Sequence, residues 1–170
     1  MLFADHGWHL GERGLWGKTT NYELDARVPL IVRAPGMKAK GATSQALVEL
    51  IDLYPTLVDL AGFDVPKHLA GRSMKPLLEA PDQEWKDAVL TQYPRGGNAD
   101  LGGKTIGYSL RTDRWRYIEW VDRATGSITA RELYDHDTDV AETVNLAMKF
   151  KHMKTVATLS KRLKTLREEI

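Results

Sequence analysis

Met1-Leu2-Phe3-Ala4-Asp5-His6-Gly7 is an apolar run that breaks into an adjacent carboxylate and imidazole, and Gly14-Leu15-Trp16-Gly17-Lys18-Thr19-Thr20-Asn21 follows it closely. A strand ending in Asp-His delivers an oxygen and a nitrogen donor at the carboxyl edge of a sheet, where open α/β folds collect their ligands. Gly7 lets the backbone leave that edge sharply, having no Cβ to clash. Asp5 and His6 are therefore candidate metal ligands. Lys18 is a candidate anion contact, because a compact ammonium can neutralise a phosphate or sulfate oxygen. The competing reading makes Asp5 a turn cap and His6 a core histidine.

Working outward, the chain of 170 residues is 42% hydrophobic and 28% charged, the composition of a globular protein with one respectable core. A net charge of +1 argues against a general nucleic-acid binder, which carries a strongly basic domain or face. No apolar run is long enough to cross a bilayer, so no membrane partner is expected, and the first residues lack a signal-peptide succession. The absence of cysteine removes disulfides, thiolate metal sites and a cysteine nucleophile together.

The punctuation predicts the elements. Thr20-Asn21-Tyr22-Glu23 has capping-box spacing and predicts a short helix. Val28-Pro29-Leu30-Ile31-Val32 reads as a buried strand closed by Ala34-Pro35-Gly36. Asp52 is placed to cap a helix with Pro55 in its first turn, an apolar stripe of Leu57, Val58, Leu60 and Ala61, and a left-handed exit at Gly62. Val65 to Gly107 reads as a long surface loop marked by Gly96-Gly97-Asn98 and Gly102-Gly103. Tyr108 to Val121 alternates as two half-buried antiparallel strands around Thr112-Asp113, with a further short strand over Arg131 to Asp135. Val156, Leu159, Leu163, Leu166 and Ile170 form one face of an amphipathic helix. Lys149, Lys151, Lys154, Lys161, Arg162, Lys164 and Arg167 lie mostly off that face and read as a solvated surface, with a nucleic-acid or acidic-membrane role as the alternative.

Ala4-Asp5-His6-Gly7-Trp8-His9-Leu10-Gly11-Glu12-Arg13-Gly14-Leu15-Trp16-Gly17-Lys18, followed by Arg27-Val28-Pro29-Leu30-Ile31, resembles the second signature region of the sulfatases in the alkaline-phosphatase-like superfamily. It is most similar to that of iduronate-2-sulfatase-type enzymes. Asp52-Leu53-Tyr54-Pro55-Thr56-Leu57, Tyr108-Ser109-Leu110-Arg111-Thr112, Arg116-Tyr117, and Glu132-Leu133-Tyr134-Asp135 through Glu142 and Asn145-Leu146 resemble the family's closing subdomain in order and spacing. The fold implied is α/β: residues 1–90 as the carboxyl-terminal part of the catalytic domain with the end of its main sheet, 91–147 as a small antiparallel subdomain, and 148–170 as a terminal helix.

The resemblance implies a sulfuric ester hydrolase acting on a sulfated small molecule or sulfated glycan. Asp5 and His6 fall on two metal-binding positions, where the ion is usually calcium. Lys18 falls on the lysine that contacts the substrate sulfate. His9 and Arg13 are candidate substrate contacts, with a surface histidine as the other reading of His9. Arg13 stands where iduronate-type enzymes often carry histidine, and arginine there resembles the choline-sulfatase branch. The family's nucleophile, formylglycine, is made within Cys/Ser-x-Pro-x-Arg, a motif this chain does not contain. The nucleophile and the paired aspartates completing the metal site are thus expected in an amino-terminal part of a parent protein, and residues 1–170 alone are expected to be inactive and to hold calcium weakly. The parent is expected to be periplasmic, extracellular or lysosomal. A phosphomonoesterase or phosphodiesterase of the same superfamily, and a non-catalytic remnant, are the alternatives.

Overall fold

The computed structural model describes residues 1–95 and 103–169. Gly96, Gly97, Asn98, Gly102 and Ile170, which the sequence assigns to a loop and to the helix stripe, lie outside the described residues. The chain forms two compact units: Met1–Asp5 with Pro29–Val89, and His6–Val28 with Leu90–Glu169.

In the first unit, β1 (Leu2–Phe3) pairs antiparallel with β4 (Leu30–Ile31), Leu2 opposite Ile31. These two-residue strands cover part of the two strands read from the sequence; Pro29 stands at the entry of β4 as expected, while Ile31, 63% exposed, corrects the buried reading of Val28 to Val32. Helix α2 (Leu53–Leu60) carries buried Pro55 in its first turn, where a missing N–H is tolerated. It ends at Gly62 (φ 81°), whose amide donates to the Asp59 carbonyl while Phe63 donates to Val58. Asp52 acts one step earlier than predicted. It closes a reciprocal capping box with Glu49 around the 3-10 turn Leu50–Asp52, and α2 continues from that turn. The Asp52 carboxylate is completely buried and fully used: it accepts from the amides of Glu49 (2.9 Å) and Arg72 (2.7 Å) and from Lys86 Nζ (2.7 Å).

The second unit is built on a four-stranded antiparallel meander: β5 (Ala88–Arg95), β6 (Thr105–Thr112), β7 (Trp115–Asp122) and β8 (Ile128–Asp135), in that spatial order. Strand β5 corrects the long-loop reading of Val65 to Gly107, as does the 3-10 turn Lys75–Leu78. The half-buried reading of Tyr108 to Val121 is also corrected, since β7 is buried on both faces from Arg116 to Val121. Side chains of a strand alternate between faces, and both faces here are covered. Tyr117 pairs with Leu110 and Leu133, all with no exposure. On that face helix α3 (Met153–Glu168) contributes buried Leu159 and Leu163, and Ser160 donates to Glu119 Oε1 at 2.6 Å. Burial, reinforced by the bond to the Glu119 carboxylate, pushes the Tyr117 phenol up to about 12. On the opposite face Ile118, Trp120 and Tyr134 pack with Tyr22 from the amino-terminal segment. A fully buried leucine contributes roughly 1.5–3 kcal/mol, so this two-sided core dominates the unit's stability.

The compact units therefore cut the chain differently from a linear division. His6–Val28 belongs with the antiparallel sheet, because polar and aromatic side chains tie it there.

Candidate functional site

Gly7 is held against α1 (Glu23–Ala26): its amide donates to the Asp25 carbonyl at 2.9 Å, and a Cβ at Gly7 would lie 1.7 Å from the Leu24 carbonyl oxygen. Only glycine permits that approach. Next to this anchor, His6 Nδ1 lies 2.8 Å from the Gly7 carbonyl. A carbonyl can only accept, so Nδ1 carries the proton and Nε2 keeps its lone pair. Lys18 Nζ sits 2.6 Å from that Nε2.

The intervening chain explains how Lys18 returns to His6. Strands β2 (His9–Leu10) and β3 (Trp16–Gly17) form a small hairpin with His9 opposite Gly17. Its tip turns through Gly11 (φ 119°), Arg13 (φ 58°) and Gly14 (φ 68°), and Glu12 accepts the Leu10 amide at 2.6 Å. Lys18 is exposed, while His6 is half-buried and its ring lies 6.0 Å from that of Trp8. Asp5 is exposed and ends the amino-terminal segment of the first unit.

His9 corrects the expectation of a surface or substrate-facing histidine. It is completely buried, with Nε2 3.3 Å from Thr20 Oγ1 and 3.5 Å from Asp25 Oδ1, and its ring edge meets Tyr22. With no surface open to a ligand, His9 packs the hairpin onto α1. Arg13 is exposed but ordered: its guanidinium lies 4.0 Å above the Tyr22 ring and 5.2 Å from that of Tyr134, and one N–H donates to the Ala141 carbonyl at 3.1 Å. Below it, the Glu132 carboxylate accepts from Tyr22, Tyr134 and Trp120. Burial and the adjacent Glu132 charge raise the Tyr134 phenol well above its ordinary value.

The capping box predicted at Thr20–Glu23 does not form, since Tyr22 occupies the N-cap position without a side-chain bond. The short helix is there, but its first amide, Glu23 N, donates to Glu142 Oε2 at 2.9 Å, a carboxylate arriving from after β8. Glu23's own carboxylate is drawn instead to Arg116 and Arg111. Arg116, 2% exposed, also donates to Glu142 (2.5 Å) and to Ser109 Oγ (2.9 Å), and His136 Nε2 lies 2.9 Å from Glu142. Burial pushes the Glu142 carboxyl up, but the His136 bond, the Arg116 charge and the Glu23 amide outweigh it and hold the group below its ordinary value. The left-handed backbone of Glu142 (φ 54°) is uncommon for such a residue and is fixed by these three donors. Glu23, His136 and Glu142 bring ligand-type atoms within 4.8 Å of one another. Two arginines already neutralise the pair of carboxylates, so this cluster is a closed ion-pair network rather than a cation site. Sequence reasoning gave Glu23, Arg116 and Glu142 no such role. Its only signal was a pair of charged residues, Arg116 and Glu119, inside a largely apolar strand.

Residues 11–169 match the family model for N-sulphoglucosamine sulphohydrolase, C-terminal. Human arylsulfatase K is 36% identical over 151 residues, covering 86% of this chain and 27% of the relative, and human iduronate 2-sulfatase is 30% identical, covering 84% and 37%. The chain thus spans less than a third of the length of the arylsulfatase K relatives it matches. Among solved structures, BT4656 in complex with its substrate D-glucosamine-2-N,6-O-disulfate superposes with a TM-score of 0.86 at 30% identity, over 98% of this chain and 33% of that one. A phosphonate monoester hydrolase from Silicibacter pomeroyi superposes with a TM-score of 0.81 at 31% identity, over 98% and 34%.

Proposed function

The chain belongs to the sulfatase family, as a member of its N-sulphoglucosamine sulphohydrolase C-terminal group, and from that premise we propose that it supplies the sulfate-holding lysine and two metal ligands to an enzyme that hydrolyses a sulfate ester. The observation that carries the proposal is the pairing of Lys18 Nζ with a lone-pair-bearing His6 Nε2. It joins a cation for the sulfate to an imidazole in its metal-ligating tautomer.

The donor set suits a divalent ion. The Gly7 carbonyl fixes the His6 proton on Nδ1 and so presents Nε2 as a ligand atom, and Asp5 adds a hard oxygen next to it in the chain. Asp5 and His6 would hold the ion, and we take calcium as its identity. When bound, the ion would supply positive charge for the sulfate oxygens and for the nucleophile, a formylglycine in the rest of the whole protein. His6 Nε2 has one lone pair, so ligating a metal and accepting from Lys18 exclude each other. With His6 Nε2 given to an ion, Lys18 Nζ would lose that acceptor and be left for the substrate. Its three N–H donors then neutralise a sulfate oxygen and stabilise the charge that grows as the ester bond breaks. Arg13, held flat on Tyr22, keeps free N–H donors for a further anionic group of the substrate.

A sulfated sugar is the proposed substrate class, supported by the amino-sugar disulfate held by the BT4656 relative. Residues 1–90 close the catalytic domain in this reading, 91–147 form its subdomain and 148–170 its terminal helix. The whole protein acts in a lysosomal, periplasmic or secreted setting, as the curated sulfatase relatives suggest. The likeness to a phosphonate monoester hydrolase favours one second reading, hydrolysis of a phosphonate or phosphate ester at the same site.

Assaying the whole protein on paired aryl sulfate, aryl phosphate and aryl phosphonate monoester substrates separates the two. The sulfate ester is expected to turn over fastest, and faster turnover of a phosphorus ester would replace this reading by the second. Residues 1–170 alone are expected to show no turnover, and measurable hydrolysis by the purified chain would contradict the assignment of the nucleophile to another segment.

A further inference from the structure

The small hairpin that returns Lys18 to His6 has two unlike faces. Residues opposite one another in an antiparallel pair share a face, and neighbours along a strand alternate. His9 and Gly17 are opposite on the inner side, where His9 is completely buried. Leu10 and Trp16 are opposite on the outer side, 67% and 77% exposed. One step further along the same register brings Trp8, 53% exposed, across from exposed Lys18 on that outer side. Trp8, Leu10 and Trp16 therefore form an open apolar surface, and the cation of the candidate site stands at its edge.

The two indoles are held in place although they are exposed. A Cβ at Gly11 would stand 3.4 Å from Trp16 Cζ2, and one at Gly17 would stand 3.8 Å from Trp8 Cζ2, so each ring rests on the backbone of a glycine across the hairpin. The Trp8 ring also lies 6.0 Å from that of His6. Leaving two large aromatic rings in water forfeits the gain of burying them. Contiguous exposed apolar surface of this kind marks a binding site.

Position and chemistry select the occupant. A sulfate ester held through its sulfate at Lys18 must carry its alcohol portion outward, and the outer hairpin face begins at that point. A pyranose suits this face: its ring hydrogens present an apolar side that lies against an indole, while its hydroxyls stay in water. A lipid surface would call for several cations around the apolar residues, and residues 8–18 carry two basic side chains against one acidic, Glu12. We infer that Trp8 and Trp16 determine specificity by stacking on the ring of the sugar that bears the sulfate, so that the site prefers a closed pyranose to an open chain carrying the same sulfur group. The inference rests on the reading of Lys18 as the sulfate contact.

The test is isothermal titration calorimetry of the whole protein with two sulfonates, whose carbon–sulfur bond is no ester and is not consumed during the titration. One is 6-deoxy-6-sulfoglucose, a pyranose; the other is the alditol made by reducing it, with the same carbons and sulfonate but no ring. The unaltered protein is expected to bind the ring form about tenfold more tightly. Trp16→Ala is expected to bring that ratio to within about twofold without changing the affinity for the alditol, whereas Trp16→Phe, which keeps an aromatic face, retains most of the preference. Unfolding midpoints of both variants are expected to stay unchanged, since the indole is exposed. Equal binding of the two sulfonates by the unaltered protein would overturn the proposal, and is what a hairpin face covered by another segment of the whole protein would give. So would a ring preference that survives Trp8→Ala and Trp16→Ala together. Lys18→Met separates the two readings: it is expected to weaken both sulfonates alike and leave their ratio intact. Unchanged affinities in Lys18→Met, with a ring preference that still follows Trp16, would remove the sulfate reading and leave the tryptophan face in place. Failure of the unaltered protein to bind either sulfonate would remove both.

Discussion

The His6–Lys18 loop and the Arg116–Glu142–Glu23 network use the same kinds of side chain for opposite purposes. In the network the charges are enclosed: Arg116 is 2% exposed, Glu142 1%, and all three Arg116 side-chain nitrogens have acceptors. In the loop, Lys18 is exposed and its partner among the described residues is the His6 Nε2 lone pair, which accepts a hydrogen bond but brings no opposite charge. Charge that is fully paired inside the protein holds the fold. Charge held in place but not neutralised remains available to a ligand. The two regions are also joined, since Glu142 holds the first amide of α1 while the Leu24–Asp25 backbone of that helix anchors Gly7 beside His6.

Breaking the network should cost most. Arg116→Ala leaves the buried Glu142 and the half-buried Glu23 without their shared cation, and a loss on the order of 3–5 kcal/mol is expected from urea unfolding of the chain. A loss below about 1 kcal/mol would mean that these charges are solvated and the contrast with the loop is false. Gly7→Ala forces a Cβ onto the Leu24 carbonyl. Backbone displacement of that kind should cost roughly 1–3 kcal/mol, and it should disturb the His6 ring resonances in nuclear magnetic resonance spectra before it unfolds the sheet.

The pH dependence sharpens the same comparison. Because Glu142 is held below its ordinary value of 4.5, the folded state binds fewer protons than the unfolded chain near that pH. Its contribution is therefore fully present above about pH 4.5 and is lost as pH falls through the lowered folded value. Melting temperatures of the unaltered chain and of Glu142→Gln should lie apart at pH 7 and converge toward pH 3. A constant gap would show that the carboxylate charge is not what holds the network.

These outcomes also mark what was legible in the sequence. Asp5-His6-Gly7 and Lys18 sit in a local pattern, so the sequence alone makes them candidates, and the hairpin brings Lys18 to His6. The turn at Gly62 and the strands flanking Thr112-Asp113 were legible because glycine geometry and two-residue alternation are local signals. The fate of Glu23 was not. Its spacing from Thr20 spelled a capping box, yet two arginines from β6 and β7 outcompeted the local bond, and a glutamate more than a hundred positions away capped the helix instead. His9 was misread for the same reason, since its burial depends on Tyr22 and Asp25 rather than on its neighbours in the hairpin. Strand β5 was hidden in a stretch read as loop, where proline and glycine punctuation outweighed a short apolar run.

The smallest stability effect is expected at the residue with the largest functional one. Lys18→Met removes an exposed side chain from a loop and should change unfolding free energy by no more than about 0.5 kcal/mol. The central claim is that Lys18 is charge kept for the substrate, and the direct measurement is kcat and KM of the whole protein carrying Lys18→Met on an aryl sulfate, with the unfolding midpoint followed in parallel. A fall in kcat on the order of 10²–10³ with an unchanged midpoint is predicted, the size seen when one donor to a developing anion is lost. Turnover within twofold of the unaltered enzyme, or a loss that merely tracks a lowered midpoint, would contradict it.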